Sequence, residues 1–150
     1  MTSGAAAKLT APDLPTMLSI IKAVEVFICG RRGNAEGVMS VTEETRAAGI
    51  WIGVMAERIV AQFAPLRVIL FGSHARGDAT RDSDIDLLVV LPHVDDRRAT
   101  TVAIRRALAD LPVAKDIIVT TPDEIEQRGD LVGTVLRPAL REGRVLYERA

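Results

Sequence analysis

The sequence predicts a single α/β domain of the mixed α+β kind, built on a small mixed sheet of about four strands with helices mainly on one face. Short, branched apolar runs bounded by turn residues are typical of buried strands, and the segments between them have apolar residues at helical spacing. At 150 residues the chain is long enough for one compact core and short for two. We therefore expect a single functional site.

The predicted elements alternate between helices and strands along most of the chain. In order they are helices over 15–29 and about 40–62, strands over 68–71 and 85–91, a helix from 95 or 96, a strand over 116–120, a helix that opens at Thr121-Pro122, a helix over 131–141 bent near Pro138, and a strand over 145–147. Residues 1–39 are interpreted as an N-terminal extension, a flexible tail followed by the first helix. Residues 40–150 are predicted to form the domain.

Composition excludes several classes of function. With 19 basic and 20 acidic residues the net charge is −1, so no global positive field is available to bind a long nucleic acid. The single cysteine, Cys29, excludes an internal disulfide and a cysteine-based zinc site and fits a reducing compartment, so we expect the cytoplasm. Lys22 and Glu25 interrupt the apolar stretch over 14–29, which is short for a bilayer, so no membrane segment is expected.

Gly72 and Ser73 follow the first predicted strand directly. A glycine at such a turn lets backbone N–H groups approach a phosphate closely, and the serine hydroxyl adds a further donor. The pair therefore predicts a turn that binds the phosphates of a nucleotide.

Asp84 and Asp86 lie two residues apart in an otherwise apolar run, so their carboxylates are expected on one face, about 7 Å apart along the strand. Their repulsion favours a divalent cation, and hard cations such as Mg²⁺ prefer carboxylate oxygen. Asp116 opens another strand, and an adjacent strand would bring it beside the first two. Three such acids can hold two metal ions about 4 Å apart. Asp116 could also accept the proton of an attacking hydroxyl, and the pattern indicates in-line nucleotidyl transfer.

Together these residues form a motif that resembles the DNA polymerase beta superfamily of nucleotidyltransferases. The motif is Gly72-Ser73-His74-Ala75-Arg76-Gly77 followed by Ser83-Asp84-Ile85-Asp86-Leu87. In this form it resembles specifically the minimal nucleotidyltransferases, which are often antitoxin partners of HEPN ribonuclease toxins. The resemblance implies a polymerase-beta-like fold and transfer of AMP from ATP to a tyrosine of the toxin.

The same resemblance implies roles for individual residues. It makes Asp84, Asp86 and Asp116 the Mg²⁺ ligands and places Gly72 and Ser73 on the ATP phosphates. Two further residues of the motif, Arg76 and Ser83, are also expected at the nucleotide.

Several of these residues have a structural alternative. Arg76 could pair with Asp78 or Asp82 on the loop surface, and Ser83 could cap the turn before its strand. His74 and His93 have no partner histidine at metal-ligand spacing, so both are interpreted as non-catalytic. The arginine pairs 97–98 and 105–106 are interpreted as solvated or partner-facing surface, because acids dilute them.

Two other functions stay open. One is a non-catalytic antitoxin that occludes its toxin, with the helix over 15–29 as a docking surface. The other is transfer to a small molecule, as in antibiotic-modifying relatives of the superfamily. Those enzymes usually carry an additional domain for the acceptor, for which 150 residues leave little room.

Overall fold

The computed structural model describes residues 43–150 together with Leu18 and Lys22. Apart from those two residues, the predicted helix over 15–29 lies outside the described residues, as does the predicted capping residue Ser40. The boundary between an extension and a domain near residue 40 therefore stays a prediction. Of the helices in the described part of the chain, none combines the length and the apolar character needed to cross a membrane.

Helices and strands alternate through most of the described chain. They are α1 (Glu43–Phe63), β1 (Arg67–Phe71), α2 (Gly72–Arg76), β2 (Ile85–Val90), α3 (Arg97–Ala107), β3 (Lys115–Thr120), α4 (Pro122–Arg128), α5 (Leu136–Glu142) and β4 (Arg144–Glu148). Each strand overlaps a run of residues that the sequence predicts as a strand.

The four strands form one mixed sheet in the order β3-β2-β1-β4. Strand β1 is antiparallel to both β2 and β4, whereas β2 and β3 run parallel. The end of β1 therefore lies beside the start of β2, which in turn lies beside the start of β3. The predicted α/β class with a small mixed sheet is confirmed.

The sheet has a core on each face, because alternate residues of a strand point to opposite sides. Helices α1 and α3 cover the larger core with buried side chains that include Ile52, Met55, Ile59, Ile104 and Leu108. The shorter α5 covers the smaller core with Leu136 and Ala139. Complete burial of one such aliphatic side chain contributes about 1.5–3 kcal/mol, so the two layers hold the sheet firmly between them.

Helices α3 and α4 start where the sequence predicts, and both starts are capped by a side chain. The carboxylate of Asp96 accepts a hydrogen bond of 3.0 Å from the N–H of Ala99. The hydroxyl of Thr121 accepts one of 3.4 Å from the N–H of Glu124, and Pro122 occupies the first helical position, where no N–H is needed.

The last helix is shorter than predicted. The sequence suggested a helix over 131–141 bent near Pro138, but α5 begins only at Leu136. Gly133 has a φ of +87°, which interrupts a right-handed helix before that point. Pro138 then lies in the first turn of α5, where its missing N–H removes no helical hydrogen bond, and no kink is required.

Candidate active site

Three neighbouring strand ends bring the candidate residues together. In the sheet register Asp86 of β2 is the partner of Phe71, the last residue of β1, and also of Asp116 in β3. The sequence suggested that Asp84 lies inside the strand, but it lies one residue before β2. Asp84 is exposed, Asp86 is half-buried and the side chain of Asp116 is 49% exposed. The acids thus lie at one end of the sheet, open to solvent on one side.

Gly72 is in direct proximity to Asp86. Its φ is +69°, a left-handed conformation that L side chains rarely adopt. A Cβ added there would overlap Oδ2 of Asp86 and lie 3.1 Å from its Cγ. Glycine is therefore required at this position for two reasons, its backbone conformation and the carboxylate beside it.

The turn predicted at Gly72-Ser73 is a short helix, α2. No side chain caps the N-terminus of α2 with a hydrogen bond. The first N–H groups of a helix have no partner within the helix, so they can donate to an anionic group. Ser73 is partly exposed at the same position. Gly72 thus adjoins the Asp86 carboxylate, and the binding of a phosphate at Gly72 and Ser73 stays a prediction.

The acids form one electrostatic cluster. Burial raises the pKa of the Asp86 carboxyl above its ordinary value, and the negative charges of Asp116 and Asp84 raise it further. His74 and Arg76 act on the pKa of Asp86 in the opposite direction. Ionisation of Asp86 therefore costs more in this site than in water, and a nearby cation would lower that cost.

Arg105, in the last turn of α3, donates a hydrogen bond of 2.6 Å from Nη2 to Oδ1 of Asp116. Arg105 thus lies on the exposed surface, as interpreted, and is paired there with Asp116. Arg97 similarly donates to Glu124 at 2.5 Å. The sequence could not show these contacts, because each depends on how α3 packs beside a distant segment.

The acidic residues suit a divalent cation in their chemistry. Carboxylate oxygens are the ligands that Mg²⁺ prefers, and the missing Cβ of Gly72 allows the Asp86 carboxylate to lie against the turn. In the described part of the chain, however, no three side chains of histidine, cysteine, aspartate or glutamate are gathered closely enough to hold a metal ion. The carboxylate of Asp116 is instead in contact with Arg105.

His74 connects α2 to the loop that leads to Asp84. Its side chain is buried, and its Nε2 lies 3.3 Å from the carbonyl oxygen of Ser83. The sequence analysis interpreted His74 as non-catalytic and assigned it no other role. In the structure it contacts the backbone of the loop before Asp84 and so helps to position that loop. The position of His74 directly after Gly72-Ser73 was the sequence feature that could have indicated this structural role.

Ser83 and Arg76 are engaged within the loop. The Ser83 hydroxyl accepts a hydrogen bond of 2.9 Å from the N–H of Thr80, which is the capping alternative. The Nε of Arg76 donates to Asp78 at 3.2 Å, and both side chains are exposed. The roles of both residues at the nucleotide stay predictions.

A cleft of about 530 Å³ lies on the other side of this loop. Trp51 of α1, the loop residues 79–83, Ile85 and residues 112–114 line it, and none of the three acids does. The side chain of Ile85 points to the face of the sheet opposite that of Asp86. His74, Gly77 and Ser83 of the motif also line the cleft, so it adjoins the acidic cluster although none of the three acids lines it.

Comparison with known proteins gives three findings. A family model described as a nucleotidyltransferase domain matches residues 55–146, which include every candidate site residue. A protein of Methanocaldococcus jannaschii, named as a candidate protein adenylyltransferase, is 37% identical over 81 residues, covering 54% of this chain and 77% of that protein. The crystal structure of a candidate nucleotidyltransferase from Sulfolobus solfataricus is similar with a TM-score of 0.53 and 22% identity, covering 78% of this chain and 94% of that one. This last likeness confirms the polymerase-beta-like fold.

The close approach of Gly72 to Asp86 predicts the effect of a methyl group. Gly77→Ala, also at positive φ but with nothing near its added Cβ, should lower the free energy of unfolding by about 1–2 kcal/mol. Gly72→Ala should lower it by about 1–3 kcal/mol more, because its Cβ displaces the Asp86 carboxylate. Urea unfolding measures both. In an Asp86→Ala background most of the extra loss should vanish, and an undiminished loss would contradict the assigned contact.

The raised pKa of Asp86 predicts a stabilising substitution. At neutral pH in EDTA, Asp86→Asn should raise the Tm by about 1–4 °C, because the amide removes a disfavoured charge. A raised pKa in the folded state means that ionisation of this group lowers stability as the pH rises above 3.8. The gain should therefore shrink as the pH falls towards 3.8. Glu126→Gln, an exposed carboxylate on α4, is the control; an equal gain there would contradict the assignment.

Proposed function

The chain belongs to the nucleotidyltransferase domain family, and from that premise we propose that it transfers AMP from ATP to a protein hydroxyl in a Mg²⁺-dependent reaction. The observation that carries this proposal is the meeting of Gly72, Asp86 and Asp116 at three adjoining strand ends. It joins a possible phosphate-binding turn to a cluster of acids that favours a cation. Both are required for transfer of a nucleotidyl group.

The phosphates of ATP would bind at the start of α2. Backbone N–H groups at Gly72 and Ser73 and the Ser73 hydroxyl would donate to phosphate oxygens, because no side chain caps the N-terminus of α2. The exposed Arg76 would contribute positive charge once it leaves Asp78. These contacts would orient the α-phosphate towards the acids.

Asp84, Asp86 and Asp116 would hold the divalent cation. When bound, Mg²⁺ neutralises phosphate charge and makes an attacking hydroxyl more acidic. Asp116, at the partly exposed side of the cluster, would accept the proton of that hydroxyl. A bond then forms between the hydroxyl oxygen and the α-phosphorus while the bond to the leaving oxygen breaks, and pyrophosphate departs.

A protein is the acceptor that the exposure of the site favours. Asp84 is exposed and Asp116 is half-exposed, so a side chain presented by a second protein could reach them. The cleft of about 530 Å³ has the size of a small-molecule site but is not lined by these acids. The name of the Methanocaldococcus relative also supports a protein acceptor. Following the motif, we propose a tyrosine of a separate HEPN-type toxin, in the cytoplasm.

Neutralising either of two acids should abolish the reaction. Asp84→Asn and Asp86→Asn should each lower the rate of AMP transfer by at least about 100-fold while the protein remains folded, because the cation loses a charged ligand. Asp82→Asn, an exposed acid of the same loop outside the proposed ligand set, is the matched control. The measurement uses α-labelled ATP and Mg²⁺ with and without the product of the adjacent gene, followed by the intact mass of both proteins.

The protein whose mass increases by that of AMP is the acceptor. AMP on the partner, lost in Asp86→Asn but kept in Asp82→Asn, supports a protein adenylyltransferase. A stable complex without added mass would favour the non-catalytic antitoxin. Absence of both would direct attention to small-molecule acceptors, and full activity of either Asn variant would contradict the metal-dependent mechanism.

A further inference from the structure

The contact between Arg105 and Asp116 concerns a residue to which the proposed reaction gives two tasks. Asp116 is to bind a cation and to accept a proton, yet its Oδ1 accepts a hydrogen bond of 2.6 Å from Arg105. A carboxylate bound to a guanidinium is less available to a second cation, because the arginine already occupies one of its oxygens. The ion pair and the proposed reaction therefore compete for the same carboxylate.

The helix that carries Arg105 is held firmly, whereas the side chain itself is not. The preceding residue, Ile104, is completely buried in the larger core, and Asp96 caps the start of α3. The side chain of Arg105 is 53% exposed, so it can move into solvent without disturbing that core. Exposed ion pairs contribute only about 0.2–1 kcal/mol. Release of Asp116 is thus a small local change.

The ion pair between Arg105 and Asp116 also explains how the three acids are arranged. The charges of Asp84 and Asp116 both act on the carboxylate of Asp86. Among the described residues, however, the three side chains are not close enough together to form a metal-binding group. The Asp116 carboxylate contacts Arg105 instead, and Asp116 belongs to β3, the last strand at this edge of the sheet. A divalent cation carries twice the charge of a guanidinium and prefers carboxylate oxygen, so it can replace the arginine.

We propose that Arg105 is a resident counter-ion of the acidic cluster, which binds Asp116 in the cation-free protein and yields it to the divalent cation. Arg105 acts through Asp116 and is therefore a positioning residue. It lowers repulsion among the acids in the empty site and weakens the affinity of the site for metal. This inference rests on the proposed function, because it requires a cation site at these acids.

The test measures metal binding rather than turnover. The nucleotide-free wild-type protein, Arg105→Ala and Arg106→Ala are titrated with Mg²⁺, and the Tm is recorded from EDTA to saturation. Arg106 is the next residue of the same helix and is also exposed, so Arg106→Ala removes the same charge without the contact to Asp116. Arg105→Ala should lower the Kd for Mg²⁺ about two- to fivefold relative to Arg106→Ala, the change expected for an exposed ion pair.

The Tm values separate a displaced counter-ion from a permanent structural contact. In EDTA, Arg105→Ala should melt below Arg106→Ala, because the acids have lost their counter-ion. At saturating Mg²⁺ this difference should shrink, because the cation has replaced the arginine in the wild type as well. An equal difference in both conditions, or a Kd no lower than that of Arg106→Ala, would overturn the proposal.

The same titration distinguishes this failure from failure of the proposed function. If Mg²⁺ raises the Tm of the wild type but not of Asp86→Asn, the cation site stands, and an unchanged Kd in Arg105→Ala then overturns only the role of Arg105. If Mg²⁺ does not change the Tm of the wild type at all, the cation site fails, and both proposals fail with it.

Discussion

The carboxylate of Asp86 lies against the backbone of Gly72, and the arrangement of the whole site depends on this close approach. Because Asp86 is also the sheet partner of Phe71 and Asp116, the register of three strands fixes the acids relative to the turn. The register itself is held by buried side chains on both faces of the sheet. Packing of apolar residues thus determines where the charged groups lie, and the possible phosphate-binding turn adjoins the acids as a consequence.

The site retains charges that oppose folding. Burial and two neighbouring carboxylates make ionisation of Asp86 unfavourable. The stability that the buried apolar side chains contribute offsets this cost. Sites that must bind a cation commonly retain such repulsion, since the cation removes it on binding. In the cation-free protein Arg105 supplies part of the missing positive charge through Asp116. The same electrostatic repulsion therefore accounts for the expected gain in stability of Asp86→Asn and for the expected loss of Arg105→Ala.

The fold and the positions of the main site residues were accessible from local sequence patterns. Branched apolar runs predicted the strands, and the spacing of Gly72, Asp84 and Asp86 predicted which residues would meet. What remained inaccessible depends on tertiary contacts: Arg105 reaches Asp116 only because α3 packs beside β3. His74 contacts a backbone carbonyl, which no side-chain pattern shows. The late start of α5 follows a single left-handed glycine, whose φ the sequence alone does not give.

The most direct test of the central claim is a crystal structure of the protein with Mn²⁺ and a non-hydrolysable ATP analogue. Manganese can be located by its anomalous scattering and accepts the oxygen ligands that suit Mg²⁺. The account predicts Mn²⁺ bound by Asp84 and Asp86, phosphates beside Gly72 and Ser73, and Asp116 separated from Arg105. Mn²⁺ bound away from Asp86, or a triphosphate bound away from Gly72, would contradict it.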